Sequence, residues 1–266
     1  MPSSLHHEER ESGDALSTLL ASYPYDSVSR YAVNEGFSPE NPEFRLIGVE
    51  ETVNDNMQFG TGANCIILPE ILRRRLETRG LSGKLLADEK QSHVVLCIPG
   101  ENGTYVICDP GLLCVRPFVV TPDQRETDVH EVDNPGGNDR FGFRAAFRPD
   151  EMRLLITKDK AKSGTRVTYS FDLAQLGDLD AVRATNIKDT LDTQIPLISK
   201  LVMPRIGTVA AVDSVSVRDN RGKVKDFAHR TGMDATELWR RLDVGNQVRR
   251  VVQSVHQNGK EIKWTE

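Results

Sequence analysis

The hydrophobic positions follow a helical period in the first part of the chain and a strand period after it. Leu68, Leu72 and Leu76 recur at the spacing of one helix face, and Gly80 follows where a C-terminal cap belongs. The proline after Leu68 suits only the first turn of a helix, where its missing N–H costs no helical hydrogen bond. The pattern therefore predicts a helix that starts near Cys65.

The N-terminal segment joins a polar stretch to a leucine-rich one. Residues 1–13 are polar, and we expect them to be frayed. Apolar residues then recur on one side from Asp14, which predicts a helix that ends at Pro24 or in the turn before it. Residues 26–60 are rich in Asn, Glu and Pro and show little periodicity.

The strand period begins with a hairpin. Two β-rich runs, 93–98 and 104–109, are separated by Pro-Gly-Glu-Asn-Gly, which predicts a hairpin with a five-residue connection. Further strands are expected at 118–120, 141–147, 152–157 and 165–173 and near Val209 and Val215, with a turn at 158–164 and a long loop at 131–139. Helices are expected at 176–189, 196–203, 236–242 and 247–256.

Composition and charge argue against two kinds of partner. The chain has 266 residues, 38% hydrophobic and 27% charged, as in globular proteins of one large domain or two to three packed ones. Its formal charge of −5 comes from acidic and basic residues mixed along the chain, whereas nucleic-acid binders usually carry a basic face. The apolar runs are too short to span a bilayer, so no membrane partner is expected.

The N-terminus and the cysteines indicate the compartment. No apolar stretch near the N-terminus has the character of a secretory signal. Four cysteines without dense spacing do not make a disulfide framework. We therefore expect a cytoplasmic protein, because a reducing environment keeps a catalytic thiol free.

Cys65 has the position of a nucleophile. The thiolate is the reactive form of cysteine, and a free thiol is mostly protonated at neutral pH. A helix N-terminus and a neighbouring imidazolium both favour the thiolate. Cys65 follows the turn Gly60-Thr61-Gly62 and opens the predicted helix, so its position supplies the first of these two devices.

His93 and Asp109 supply the second device. If the hairpin strands pair symmetrically about residues 99–103, Ile98 faces Thr104 and His93 faces Asp109. Directly opposed residues share one face, with Cβ atoms about 4.5–5.5 Å apart, so the carboxylate can orient the imidazole. A shift of one residue would break this arrangement. The prediction is a Cys65–His93–Asp109 triad for acyl transfer.

Each of these residues also has a simpler interpretation. A free cysteine is most often a small buried hydrophobe, and an aspartate before Pro-Gly is a common turn residue. The combination of helix-start cysteine and hairpin His–Asp pair favours catalysis. The other histidines lack metal-ligand spacing, so no metal is expected. The backbone N–H of Cys65 is the natural oxyanion donor, and Asn64 and Tyr25 are further candidates.

Four short motifs occur in a characteristic order. His93-Val-Val-Leu fits an H-x-x-L segment, and Tyr105-Val-Ile-Cys-Asp109 fits a Y-x-x-D segment with one additional residue. Tyr23-Pro24-Tyr25-Asp26 fits an aromatic-Pro-aromatic-acid motif, and Tyr169-Ser-Phe171-Asp172-Leu173 fits the approach to a third domain. With the cysteine at a helix start, these motifs resemble the arylamine N-acetyltransferase family over most of the chain, from about residue 16 to residue 242.

The resemblance implies a fold class and three domains. The fold would be α+β with a cysteine-proteinase-like core. Residues 1–90 would form a helical domain that carries the nucleophile, and residues 91–185 an antiparallel β-barrel-like domain that carries His93 and Asp109. Residues 186–266 would form an α/β lid.

The resemblance also implies ping-pong chemistry. Cys65 would take an acyl group from a thioester, and an amine would then attack the acyl-enzyme while His93 moves the proton and Asp109 holds the imidazole. No permanently bound cofactor is implied. Acetyl-CoA or another acyl thioester would be the co-substrate and a small-molecule amine the acceptor; the residues that bind them are not identified.

The surroundings of Cys65 leave other functions open. The family usually has Arg-Gly-Gly ahead of the residue that precedes the cysteine, whereas this chain has Gly62-Ala63-Asn64-Cys65, and the interval to His93 is short. A divergent acyltransferase or amide synthase that takes acyl groups from an acyl carrier protein fits equally well. The alternatives are a transglutaminase-like or peptidase-like cysteine hydrolase, with the same order of catalytic residues, and a non-catalytic relative.

Overall fold

The fold is given by a computed structural model. It describes residues 4–23, 25–26, 48–59, 62–123, 126–127, 130–134, 139–160, 164–174, 179, 181–182, 198–203, 211–216, 224–226, 228–229 and 262–264. Helices come first in this part of the chain and mainly antiparallel sheets follow, so the class is α+β, as the sequence predicts. Among the described helices, none combines the length and the apolar character needed to cross a bilayer.

Three helices form the N-terminal part of the described chain. They are α1 (Ser4–Ser22), α2 (Val49–Phe59) and α3 (Ile67–Glu77), and both α1 and α2 pack against α3. The predicted face of α3 is buried at Leu68, Leu72 and Leu76. After α3, Gly80 has a φ of +80°, and the N–H of Leu81 donates to the carbonyl of Leu76 at 3.0 Å. This is the C-terminal cap that the sequence predicts.

Helix α1 starts at Ser4 rather than near Asp14, so the expectation of a frayed N-terminus is wrong for residues 4–13. Most polar residues of this segment lie on an exposed or half-buried face, but Ser12 is completely buried. Glu11 also forms a salt bridge with Arg79 at 3.3 Å, just beyond the end of α3. Tertiary packing stabilises a helix whose sequence lacks a continuous apolar stripe, and the hydrophobic pattern does not report it.

A four-stranded antiparallel sheet lies against the helices. Its order is β2 (Lys84–Ala87), β3 (Val94–Pro99), β4 (Tyr105–Cys108) and β5 (Phe118–Val120). Helix α3 contacts β2 and β3, and α1 contacts β4. The apolar runs of β3 and β4 are continuous because nearly every residue of both strands is buried.

The larger sheet has eight strands. It comprises β1 (Tyr25–Asp26), β6 (His130–Asn134), β7 (Asp139–Arg148), β8 (Arg153–Lys160), β9 (Arg166–Asp172), β10 (Ile198–Met203), β11 (Ala211–Ser216) and β13 (Ala228–His229). The order is β1-β10-β11-β6-β7-β8-β9, and β13 pairs with β11. The pairings are antiparallel except the short β11–β6 contact. Strands β12 (Val224–Asp226) and β14 (Ile262–Trp264) pair separately.

Strand pairing overturns three of the local predictions. Residues 131–134, expected as loop, pair with β7 as part of β6. Residues 158–160, expected as turn, extend β8, and residues 198–203, expected as helix, form β10 between β1 and β11. Backbone bonds to a neighbouring strand decide each case, and a local pattern does not report them.

Other predictions remain open. The expected strand near Val209, the helices at 236–242 and 247–256, and most of the helix at 176–189 lie outside the described residues. The three domain boundaries, the barrel-like closure of the middle domain and the lid also stay predictions.

Candidate active site

Cys65 lies at the start of helix α3. The side-chain oxygen of Asn64 accepts hydrogen bonds from the N–H groups of Ile66 at 3.2 Å and Ile67 at 3.1 Å, which caps the helix. Cys65 is only 4% exposed, and its thiol donates to the carbonyl oxygen of Ser92 at 3.8 Å. The thiol therefore lies at a capped helix start, and the side-chain oxygen of Asn64 stabilises this helix end.

The chain before Cys65 is only partly described. Of the turn Gly60-Thr61-Gly62, Gly62 alone belongs to the described residues. Tyr25 forms an isolated parallel bridge with Ala63, so strand β1 runs beside the segment that leads to Cys65. This places the backbone of Tyr25 close to the site.

His93 and Asp109 form a buried pair. Nε2 of His93 is 2.9 Å from both carboxylate oxygens, and the two side chains are 3% and 0% exposed. Asp109 is also fixed by the turn after β4, because Oδ1 accepts the N–H of Leu112 at 3.0 Å and its carbonyl accepts the N–H of Cys114 at 3.1 Å. The carboxylate that faces the imidazole is thus rigidly held.

The pair forms in a register that differs from the predicted one. Pro99 pairs with Tyr105, so the connection is residues 100–104, one position later than expected. The direct opposition of His93 and Asp109 is therefore wrong. The partners shift by two residues, and an even shift keeps both side chains on one face, where they still meet.

Burial and charge act in opposite directions on His93. Burial lowers the pKa of the imidazole, but the charge of Asp109 and the hydrogen bond to it, with a further hydrogen bond to Cys65, raise this pKa to about 10. Because Nε2 faces Asp109, Nδ1 is the ring nitrogen available to the thiol. A protonated imidazole beside a sulfur atom favours the nucleophilic thiolate.

The raised pKa of His93 predicts a pH-dependent stability. An unfolded histidine titrates near 6.5, whereas folded His93 keeps its proton to about pH 10. The stabilisation is therefore fully present below about pH 6.5 and is lost as pH rises through about 10. Urea titrations should show the free energy of unfolding falling between about pH 7 and pH 10. The double variant H93Q/D109N, a neutral pair of similar shape, should lose this slope; an equal slope in both proteins contradicts the raised pKa.

Two aromatic side chains of β9 lie against His93. The ring centroid of Tyr169 is 4.5 Å from that of His93, and the centroid of Phe171 is 6.3 Å away. Burial, together with the charges of nearby acidic groups including Asp109, raises the pKa of the Tyr169 phenol to about 12. The phenol therefore stays protonated. In the sequence, Tyr169 and Phe171 stand out only as part of a motif, and no local signal places them beside His93.

Gly111 approaches Cys65 and the imidazole of His93 more closely than any side chain permits. A Cβ on Gly111 would lie 2.5 Å from Cβ and 2.8 Å from Cα of Cys65, and 2.8 Å from Cε1 of His93. Gly111 has no positive φ, so the site requires space rather than backbone freedom. The sequence identified only the turn Asp109-Pro110-Gly111, not this contact.

The other three cysteines have a structural environment. Burial raises the pKa of the Cys97 thiol to about 12 and holds those of Cys108 and Cys114 well above the usual range. All four cysteines are free of disulfides. Within the described ranges, no group of His, Cys, Asp and Glu side chains is arranged to hold a metal ion.

Comparison with solved structures identifies the fold. No protein-family model matches the sequence, and no curated protein matches it significantly. The arylamine N-acetyltransferase of Mycobacterium marinum matches with a TM-score of 0.58 and 12% identity, over 93% of this chain and 92% of that chain. Its complex with CoA matches with a TM-score of 0.56 and 12% identity, over 91% and 90%. The Bacillus cereus enzyme, which has a unique Cys-His-Glu catalytic triad, gives 0.51 and 10% over 87% and 88%.

These similarities extend over nearly the full length of both chains, so they concern the whole architecture rather than one motif. The low identity explains why sequence comparison alone finds no match. The chain has the fold of the arylamine N-acetyltransferases, at 10–12% sequence identity to these three structures.

Proposed function

We propose that this protein is an acyltransferase that moves an acetyl or other acyl group from a thioester to an amine through an acyl-enzyme on Cys65. The observation that carries the proposal is the buried His93–Asp109 hydrogen bond at 2.9 Å beside a thiol at a capped helix start. A cysteine, an imidazole that contacts it and a carboxylate that orients the imidazole form a triad for nucleophilic acyl transfer.

The reaction proceeds in two half-reactions. The Cys65 thiolate attacks the thioester carbonyl, the carbon–sulfur bond to the donor breaks, and His93 gives its proton to the departing thiolate. An amine then attacks the carbonyl of the acyl-enzyme, His93 takes a proton from the amine, and the Cys65 thiolate leaves. Asp109 holds the ring in position through both steps.

A thioester donor suits this site. Transfer of an acyl group between two thiols changes the free energy little, so the acyl-enzyme stays activated toward an amine. The M. marinum enzyme binds CoA, which supports an acyl-CoA as the donor. The backbone N–H of Cys65 is the natural oxyanion donor because Cys65 follows the capping residue Asn64 at the helix start, and the NH2 group of Asn64 and Tyr25 are further candidates.

Three broader expectations belong to this proposal. The acceptor is a small-molecule amine, and an acyl carrier protein is an alternative source of the acyl group. We also propose that residues 186–266 form a lid over the site and that residues 91–185 form a barrel-like middle domain. The four free thiols suit a reducing cytoplasm.

The test is covalent capture of the acyl group. Incubation with acetyl-CoA, and separately with longer acyl-CoA thioesters, should add one acyl group to the intact mass, and peptide mapping should locate it on Cys65. Cys65→Ala should gain no mass, whereas Cys97→Ala, which removes a buried thiol with a raised pKa, should still gain it. Failure of every thioester, with wild type indistinguishable from Cys65→Ala, overturns the proposal.

Release of the adduct separates the alternatives. Addition of an amine should discharge the acyl-enzyme and yield the amide, while water alone discharges it slowly. Rapid discharge by water without amide formation would instead indicate a cysteine hydrolase. The triad side chains are at most 4% exposed, which suits a narrow thioester arm better than an extended peptide.

A further inference from the structure

We propose that Asp88 is a positioning residue for the thiol–imidazole pair, an inference that rests on the acyl transfer function proposed above. Asp88 follows β2 and opens the turn that leads to β3, and its side chain is 3% exposed. In the sequence it begins the polar segment Asp-Glu-Lys-Gln-Ser, which has the composition of an ordinary turn.

The turn is organised around the carboxylate of Asp88. Oδ1 accepts the N–H of Ser92 at 2.6 Å and the N–H of His93 at 2.7 Å. Oδ2 accepts the hydroxyl of Ser92 at 3.1 Å and the N–H of Lys90 at 3.3 Å. The N–H of Asp88 itself donates to the carbonyl of His93 at 2.9 Å. Hydrogen bonds to a buried carboxylate are stronger than neutral ones, so this loop is tightly held.

Two residues that contact the sulfur of Cys65, Ser92 and His93, are also the two whose N–H groups bind Oδ1 of Asp88. The carbonyl of Ser92 accepts the thiol of Cys65 at 3.8 Å, and the imidazole of His93 hydrogen-bonds the same sulfur. A movement of the Ser92–His93 backbone therefore changes both contacts at once. Misplacement of reacting groups by about 1 Å can lower a rate by about 10²-fold.

The same turn joins the two sheets beside the triad. Asp88 forms an isolated bridge with Phe171, and the N–H of Glu89 donates to the carbonyl of Ser170 at 2.9 Å. These bonds hold β9, whose aromatic side chains lie against His93. Asp88 thus sets the position of the imidazole relative to both sheets, and the short interval between Cys65 and His93 contains the turn that does so.

The test compares Asp88→Asn with wild type. The amide keeps the shape of the carboxylate but turns an NH2 group toward backbone donors, so we expect Cys65 acylation at saturating acyl-CoA to fall about 10- to 100-fold. The half-saturating concentration of acyl-CoA should change little, because Asp88 positions Ser92 and His93 and is not proposed to bind acyl-CoA. Asp172→Asn is the matched control; its carboxylate also accepts a backbone N–H, that of Ala174 at 2.8 Å, and its rate should stay unchanged.

Alkylation by iodoacetamide tests Asp88 independently of acyl transfer. The rate at Cys65 should fall by a similar factor in Asp88→Asn, while Cys97, Cys108 and Cys114 stay unlabelled. Increased labelling of those three buried thiols would mean that the variant is merely loosened, and this overturns the positioning role. An unchanged Cys65 rate in folded Asp88→Asn overturns it as well. Failure of wild type to form any acyl-enzyme overturns the proposed function alone.

A milder variant keeps the inference testable if Asp88→Asn does not fold. Ser92→Ala removes the hydroxyl bond to Oδ2 of Asp88 and leaves the backbone bonds in place. Loss of one such bond should lower the alkylation rate of Cys65 by about threefold. A rate equal to that of wild type overturns the positioning role.

Discussion

Asp109→Asn is expected to lower the rate of Cys65 acylation by about 10³- to 10⁴-fold, the effect seen when the carboxylate that orients a catalytic histidine is neutralised. Both oxygens of Asp109 face Nε2 of His93 at 2.9 Å, and Oδ1 also accepts the N–H of Leu112. The amide of Asn has only one oxygen to accept from His93 and Leu112. Its NH2 group then faces a second donor instead of an acceptor. The substitution also removes the negative charge of Asp109, which raises the pKa of His93 against the effect of burial.

The measurement is single-turnover acylation, followed by intact mass at several pH values with one acyl-CoA. Asp123→Asn, at an exposed position, serves as the control and should match wild type. Circular dichroism should show that Asp109→Asn keeps its secondary structure. If the folded variant reacts within threefold of wild type, Asp109 does not orient the imidazole during the reaction.

Gly111→Ala is expected to impair both the reaction and the fold. The added Cβ would lie 2.5 Å from Cβ of Cys65 and 2.8 Å from Cε1 of His93, distances that side chains do not tolerate. Either the thiol and imidazole move apart or the turn after Asp109 shifts. We expect acylation to fall about 10²-fold and the free energy of unfolding to fall by about 1–3 kcal/mol.

Gly13→Ala is the matched control for this variant. Its Cβ would meet Cδ of Pro117 at 3.6 Å, an ordinary contact, and alanine favours the helix in which Gly13 lies. That variant should be as active as wild type and slightly more stable in urea unfolding. Wild-type acylation and stability in Gly111→Ala would mean that the contacts of Gly111 are not needed by the site.

Local patterns in the sequence were sufficient to predict that Cys65, His93 and Asp109 lie close together. The apolar period and Gly80 define helix α3, and Cys65 falls at its start because Asn64 is a natural helix cap. The hairpin brings His93 and Asp109 to one face even though its turn lies one residue later than predicted, because strand faces repeat every two residues.

The remaining parts of the site depend on segments that are distant in sequence. Tyr169 and Phe171 come to His93 only because β9 bridges to the turn at Asp88. The polar sequence of that turn does not reveal that the carboxylate of Asp88 is buried and binds the N–H groups of Ser92 and His93. For the same reason β6 and β10, whose strand character depends on their partners, were not predicted as strands.

The sequence by itself therefore determined the helix that follows Cys65 and the facing of the His–Asp pair, because helix caps, turn residues and strand alternation act between near neighbours. Only the tertiary structure decided the register of that pair, the close approach of Gly111, and the role of Asp88 in holding Ser92 and His93. The close approach of Gly111 to Cys65 joins distant segments, and packing across such distances leaves no periodic signal in the chain. The register and the bonds of Asp88 lie within short segments, but turn geometry and burial fix them, and a hydrophobic pattern records neither.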